Sequence, residues 1–496
     1  MKYISTRDTK PVSEKNYVTS AQAIKQGLAP DGGLFMPTEI PALTVGDMER
    51  LKAMPYNKRA AYVLSMFSDD YSREFLEDDC ALSYSEEKFP GGCAPVVSLP
   101  GGIYSLELWH GPTCAFKDMA LQIMPRLLSR SLDITGETRT VQILVATSGD
   151  TGKAALEGYK DIDKIKILVF YPEDGVSEVQ KLQMATQLGD NVNVCAIKGN
   201  FDDAQNGVKK IFADTDTNKK LGEKNTFLSS ANSINWGRLA PQIVYYISAY
   251  CDLLVSGKIT DGEKVNVCVP TGNFGNIFAA YIAKQMGLPI KKFICASNTN
   301  NILTDFLETG RYDRNRQFHK TMSPSMDILI SSNLERLLFM TAGSERTSEY
   351  MKNLNEHAFY QTDSDIMEVI KSQFHGEWCS EEETAAVIRN TMNNSSYLCD
   401  THTAVGLGCA EKYREKTGDC DTKIILASTA SPFKFASDVY SALTGARAKD
   451  DVSALSLLAE TTNQKIPQQI ADTLALPVRF KKSISSDEMT NAVLES

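Results

Sequence analysis

The chain has 496 residues, 42% hydrophobic and 23% charged, a balance that excludes a disordered chain and leaves room for about three domains. A formal net charge of -10 excludes the broad basic footprint that nucleic acid or an anionic membrane surface requires, but not a small anion in a local pocket. No stretch approaches the ~18 apolar residues of a membrane span, and residues 1–15 are polar. The eleven cysteines are scattered without Cys-x-x-Cys spacing, so a reducing, cytoplasmic setting is expected.

Residues 1–97 mix short helical patterns with turns such as Pro30-Asp31-Gly32-Gly33 and read as a small N-terminal domain, bounded by glycine turns at 90–92 and 100–102. From 98 to 448, apolar runs alternate with helical patterns. The runs at 141–146, 165–171, 192–197, 265–269, 293–296 and 424–427 lack polar alternation. They predict buried strands of parallel sheets with helices on both faces, an α/β fold. A helix is expected over 177–188, where Ser177 and Gln180 have capping-box spacing and Gly189 marks the stop. Residues 298–400 are more polar and helical and read as an insertion in the core, and residues 449–496 form a C-terminal helical segment.

In residues 110–121, Gly111 and Pro112 make a turn that delivers Lys117 to the start of a helix. Its apolar positions, Phe116, Met119, Ala120, Ile123, Met124, Leu127 and Leu128, follow helical spacing. A lysine desolvated there acquires the lowered pKa of an imine-forming amine; a solvated first-turn lysine is the plainer reading of this stretch alone.

Run 265–270 leads through Thr271-Gly272-Asn273-Phe274-Gly275-Asn276 into a helical pattern. Backbone N–H groups and the positive helix end would converge there on an anion, with phosphate the obvious guest; the alternative is a tight turn with no ligand. The spacing matches neither a Walker A loop nor a dinucleotide fingerprint. Thr147-Ser148-Gly149-Asp150-Thr151-Gly152-Lys153 repeats the strand-to-helix arrangement, with hydroxyls and a lysine suited to a carboxylate or a second phosphate. Asn232, Ser233, Asn235 and Arg238 either supply donors to an anionic substrate or form an ordinary capped loop. Thr429 follows run 424–427, where a hydroxyl meets a ring nitrogen or merely ends a strand. The five histidines form no His-x-x-x-His pair and no Gly-x-Ser-x-Gly elbow occurs, which disfavours metal-dependent and serine hydrolases; no metal site is expected. A phosphorylated aldehyde held as an imine would use the lysine and both loops.

These motifs, together with Ile4-Ser5-Thr6-Arg7, residues 29–37 and residues 428–435, resemble those of bacterial and fungal threonine synthases, pyridoxal-phosphate enzymes of fold type II with a tryptophan synthase β-like core. The resemblance implies a threonine-synthase-type N-terminal domain and a core of two subdomains that binds pyridoxal 5'-phosphate. It implies that Lys117 bonds the cofactor aldehyde and that Gly272, Asn273, Phe274, Gly275 and Asn276 hold its phosphate. Phe116 would pack against its ring and Thr429 would face its nitrogen. Thr147, Ser148, Gly149, Asp150 and Thr151 would take the substrate carboxylate, and Asn232, Ser233, Asn235 and Arg238 the substrate phosphate. Asp150 is a departure, because many members of the wider fold group carry Asn beside the cofactor 3'-oxygen. The implied activity is that of a carbon-oxygen lyase in threonine biosynthesis, converting O-phospho-L-homoserine and water to L-threonine and phosphate, with no obligate protein partner. The motifs leave open a phospholyase or dehydratase that releases a 2-oxo acid and ammonia, and a catalytically silent anion-binding protein of the same fold.

Overall fold

The structure, a computed structural model, describes every residue except Ser148, Asp174 and Gly175. In the N-terminal region β1 (Tyr3–Ser5) and β2 (Phe35–Pro37) pair antiparallel. A hairpin of β3 (Val96–Leu99) and β4 (Ile103–Glu107) is followed by β5 (Thr140–Ala146), β6 (Ile165–Pro172), β7 (Val192–Ile197) and β8 (Thr226–Ser230). Next come β9 (Val265–Pro270), β10 (Ile290–Ser297) and an antiparallel pair, β11 (Arg311–Asp313) with β12 (Phe359–Gln361). The chain ends its strand series with β13 (Phe374–Trp378), β14 (Ile424–Ser428) and β15 (Ser483–Ile484).

Two larger sheets form. One has the order β13-β10-β9-β14-β4-β3 and is parallel except for edge strand β3; the other has the order β15-β7-β6-β5-β8 and is parallel throughout. The chain therefore leaves the first sheet after β4, builds the second, and returns at β9. Every residue of β9 and β14 is buried, as expected of strands covered on both faces. Helix Trp236–Val255 is apolar nearly all round and buried along most of its length, which places it inside the layers. No helix among the described residues is long and apolar enough to cross a membrane.

All six apolar runs are strands, and the elements the sequence hides have identifiable reasons. Strand β4 contains Ser105 and Glu107, both buried, which Tyr397 satisfies from 290 or more residues away. Edge strand β13 carries His375 and Glu377, so residues 298–400, read as a polar insertion, contribute a strand to the first sheet. The turn Pro100-Gly101-Gly102 closes the β3–β4 hairpin, which places 96–99 in the core sheet. Ser177 does cap helix Glu178–Ala185, but the reciprocal half of the expected box is absent: the Gln180 amide donates instead to Asp150 Oδ1 at 2.9 Å.

Candidate active site

The carboxyl ends of β4, β5, β9 and β14 deliver the site, the edge at which α/β sheets bind ligands. After β4 the chain is laced to the end of β14: Leu108 N–H donates to Ser428 O at 3.0 Å, and Phe116 N–H to Thr429 O at 2.8 Å. The Asp118 carboxylate closes this loop by accepting from Thr113 N (2.8 Å) and Thr113 Oγ1 (2.7 Å). Gly111 is needed beneath it, since a Cβ there would meet the Asp118 side chain at 2.6 Å.

Lys117 is thereby held at the start of helix Asp118–Leu121 with its side chain 11% exposed. Its Nζ lies 3.4 Å from Ser325 Oγ, 3.6 Å from Asp150 Oδ2 and 4.8 Å from the Phe116 ring centre. Burial pulls the amine pKa down; Asp150 opposes this, Lys434 and Arg238 add to it, and the net direction is down. The solvated alternative does not describe this lysine.

Asp150 begins helix Asp150–Tyr159 through Gly149, whose φ of 148° and contact with Gln180 (2.6 Å from an added Cβ to Cδ) admit only glycine. Thr147 Oγ1 folds the turn by accepting from Gly149 N and Gly152 N at 3.0 and 2.9 Å, and Thr151 is half-buried. Ser148 lies outside the described residues. Lys153 turns away from the loop, its Nζ meeting Glu157 Oε2 at 3.3 Å, which corrects the expectation of a cation there. The loop's charge is instead the Asp150 carboxylate. Burial raises its pKa, but Lys434 (Nζ to Oδ1 2.9 Å) and Lys117 outweigh burial and hold it below the carboxylate range.

At 272–276 the protein takes the carbonyls and leaves the N–H groups. Ser331 Oγ donates to Gly272 O at 2.7 Å, while Asn333 N and Nδ2 donate to Asn273 O at 3.1 and 2.9 Å. None of the five backbone N–H groups of 272–276 has a protein acceptor among the described residues, and the Asn276 Nδ2 amide is buried without a partner. Phe274 holds a left-handed φ of 61°, strain of roughly 1–3 kcal/mol that the packing of the loop sustains. A Cβ on Gly272 would come within 2.6 Å of Ser325 O, so the loop and the Ser325 segment need glycine to lie this close.

Thr429 is buried just after β14, its backbone carbonyl accepts from Phe116 N–H, and its hydroxyl makes no hydrogen bond among the described residues. Arg238 is 4% exposed, and the only hydrogen bond of its guanidinium among the described residues is Nη1 to Ala231 O at 2.5 Å; its Nε is buried without a partner and burial pulls its pKa to about 10. Asn235, expected among the substrate donors, is spent on the fold: Oδ1 caps helix Trp236–Val255 through Gly237 N and Nδ2 donates to Ile24 O, both at 2.8 Å. Asn232 is exposed and Ser233 half-buried in the same loop.

Sequence reading missed Ser325, Lys434 and His402. The Ser325 N–H donates to His402 Nε2 at 3.1 Å, which makes Nδ1 the protonated nitrogen and the donor to Asp400 Oδ2 at 2.7 Å. No local pattern marks Ser325, which comes to Lys117 from 208 positions away. Lys434 did carry a signal, a lysine between Phe433 and Phe435 in an apolar stretch, where an unpaired charge would be expensive.

A buried amine of lowered pKa and a cradle of unclaimed N–H groups with an orphaned amide fit an anionic aldehyde cofactor. Fold and site define a pyridoxal-phosphate dependent enzyme of fold type II, and residues 90–428 match the family model described as pyridoxal-phosphate dependent enzyme. Residues 2–84 match the threonine synthase N terminus and residues 403–493 the threonine synthase C-terminal model. The chain belongs to the threonine synthase family, and its cofactor is pyridoxal phosphate. It is 42% identical over 456 residues to human threonine synthase-like 1, covering 89% of this chain and 60% of that relative's length. It is 39% identical over 442 residues to threonine synthase of Pseudomonas aeruginosa, covering 88% of this chain and 89% of the relative. Among solved structures, pyridoxal-phosphate-bound threonine synthase from Brucella melitensis superposes with a TM-score of 0.88 at 35% identity, covering 100% of this chain and 99% of that one.

Proposed function

We propose that the protein converts O-phospho-L-homoserine and water to L-threonine and phosphate. Lys117 would bond the cofactor, with Phe116 beside its ring, Gly272, Asn273, Phe274, Gly275 and Asn276 around its phosphate, and Thr429 at its nitrogen. The observation that carries this reading is the position of the Lys117 amine beside Asp150, in a site where Arg238 is a buried guanidinium with no carboxylate partner among the described residues. A site with one cradle of free N–H groups and a second, uncompensated cation suits two phosphates, one on the cofactor and one on the substrate.

Bound pyridoxal phosphate supplies the electron-withdrawing ring that makes the substrate Cα and Cβ hydrogens acidic. The chain supplies the rest. Lys117 Nζ, its pKa lowered by burial, takes as the free amine the Cα proton and, after passing that proton on, a Cβ proton. Arg238, with Asn232 and Ser233, holds the phosphate that leaves from Cγ. The turn of Thr147, Gly149 and Thr151 at a helix start orients the carboxylate, and Asp150 holds a fixed negative charge beside Nζ. Thr429 Oγ1 is a neutral partner for a ring nitrogen, so it does not enforce a protonated ring. Once phosphate has left, one of the two protons taken by Lys117 is delivered to Cγ, which becomes the methyl carbon. Water then adds its oxygen at Cβ, its spare proton passing to the released phosphate, and Lys117 returns the other proton to Cα.

The test is to incubate the cofactor-loaded protein with O-phospho-L-homoserine and to measure threonine, phosphate and 2-oxobutyrate. Threonine and phosphate in equal amounts are expected, and lost in Lys117→Ala with the fold intact. A product of 2-oxobutyrate without threonine would replace this reading by that of a phospholyase.

A further inference from the structure

We propose that Lys434 is a positioning residue, the permanent counter-ion that keeps Asp150 ionised whenever Lys117 is uncharged. The inference rests on the reading of Lys117 as the cofactor lysine. Asp150, its side chain 5% exposed, has two cations: Lys434 at 2.9 Å from Oδ1 and Lys117 at 3.6 Å from Oδ2. Only Lys434 is fixed. Its side chain is 0% exposed, Nζ also donates to Thr113 O at 2.8 Å, and its segment is pinned where Ser431 N–H donates to Cys114 O at 3.0 Å.

Lys117 must be uncharged before it can act as a base or attack a cofactor aldehyde. A buried carboxylate left without a counter-charge takes up a proton, and the neutral donors Gln180 Nε2 (2.9 Å) and Ser325 Oγ (3.3 Å) do not replace a charge. With Lys434 in place, Asp150 stays an acceptor at every stage, which gives the acidic residue at this position a stable role. The same cation repels a proton on Lys117 and so favours the free amine. The other titratable groups facing the trio are Arg238, His402, Cys114, Asp118 and Lys153, with Glu157 behind Lys153.

The test uses the full chain freed of cofactor by dialysis. Trace labelling with acetic anhydride across a pH series, read at Lys117 by peptide mass spectrometry, gives the pH at which this amine loses its proton. Lys434→Met is expected to move that midpoint up by about one unit, a tenfold slower labelling at a fixed pH below it. Lys434→Arg keeps the wild-type profile, and Lys434→Met with Asp150→Asn returns the midpoint toward wild type. A folded Lys434→Met chain with an unmoved midpoint overturns the proposal. If Lys434→Met fails to fold, folding of the double variant supports the counter-ion role, whereas failure of both overturns it in favour of a packing role for the lysine stem. Borohydride reduction of the cofactor-loaded chain and peptide mapping reports separately whether Lys117 is the cofactor lysine.

Discussion

Lys117 and Asp118 are consecutive, and burial drives both toward their neutral forms. For Lys117 this lowers the pKa; for Asp118 it pushes the carboxyl up to about 6, against the opposing hydrogen bonds from Thr113 and the charge of Lys434. The sign for stability follows. Between about pH 4 and 6 the folded chain holds a proton on Asp118 that the unfolded chain has released, so stability falls as pH rises through that window. The loss is about 3 kcal/mol for a shift of about two units. Asp118→Asn removes the charge at the expense of one acceptor for Thr113, so the stability difference between variant and wild type is expected to move in the variant's favour from pH 4 to 6 and to stay level above it. Urea titrations of both proteins at each pH would give a flat difference curve if the buried charge were not the cause. At this scale Lys117 was legible because a turn, a helix start and an apolar stripe coincide on it. Lys153 was legible in principle too, since Glu157 stands four residues on, the spacing of a helical ion pair. Asn235 was not, because the carbonyl it satisfies belongs to Ile24, 211 positions away.

Strands such as β6 and β9 declare themselves because burial on both faces demands apolar residues at every position. Strands β4, β8 and β13 do not, because polar side chains there are satisfied by distant partners or lie near an edge. Helix contacts are less visible still. Helix Asp150–Tyr159 and helix Asp118–Leu121 start at the two charges of the site, and Gly158 sets their separation: a Cβ there would overlap the Leu121 carbonyl. Gly158→Ala must push the two helices apart. A loss of about 3 kcal/mol is expected, near the upper end for an overpacked core. Gly222 is the control, with open space around its Cα in helix Thr215–Glu223 and no positive φ. Gly222→Ala is expected to gain about 0.5–1 kcal/mol. Thermal melts of the two variants should move in opposite directions, and a Gly158→Ala protein as stable as wild type would mean that the helices do not touch this closely.

Across the whole molecule, residues 333–336 join the N-terminal region to the 272–276 loop. Glu335, 4% exposed, accepts both Arg7 Nε and Nη2 at 2.8 Å and Thr6 Oγ1 at 2.5 Å. Its neighbour Arg336 is fully buried and reaches Phe35 O at 3.2 Å, Ile234 O at 2.6 Å and the Asn333 amide oxygen. Asn333 in turn holds Asn273 O. One short segment thus ties β2, the Arg238 loop and the proposed phosphate cradle together, which gives residues 4–7 and 29–37 a physical reason for their pattern. Arg7→Met removes the bidentate partner of a buried carboxylate and is expected to destabilise the fold by about 2–3 kcal/mol. Because Glu335 adjoins Arg336, the same substitution is expected to weaken pyridoxal phosphate binding several-fold, although Arg7 has no contact with 272–276. Cofactor titration of Arg7→Met at a temperature where it remains folded checks this, with Lys58→Met, which removes an exposed ion pair of the same region, as the comparison. A destabilised Arg7→Met protein with wild-type cofactor affinity would show that the linkage ends at Glu335.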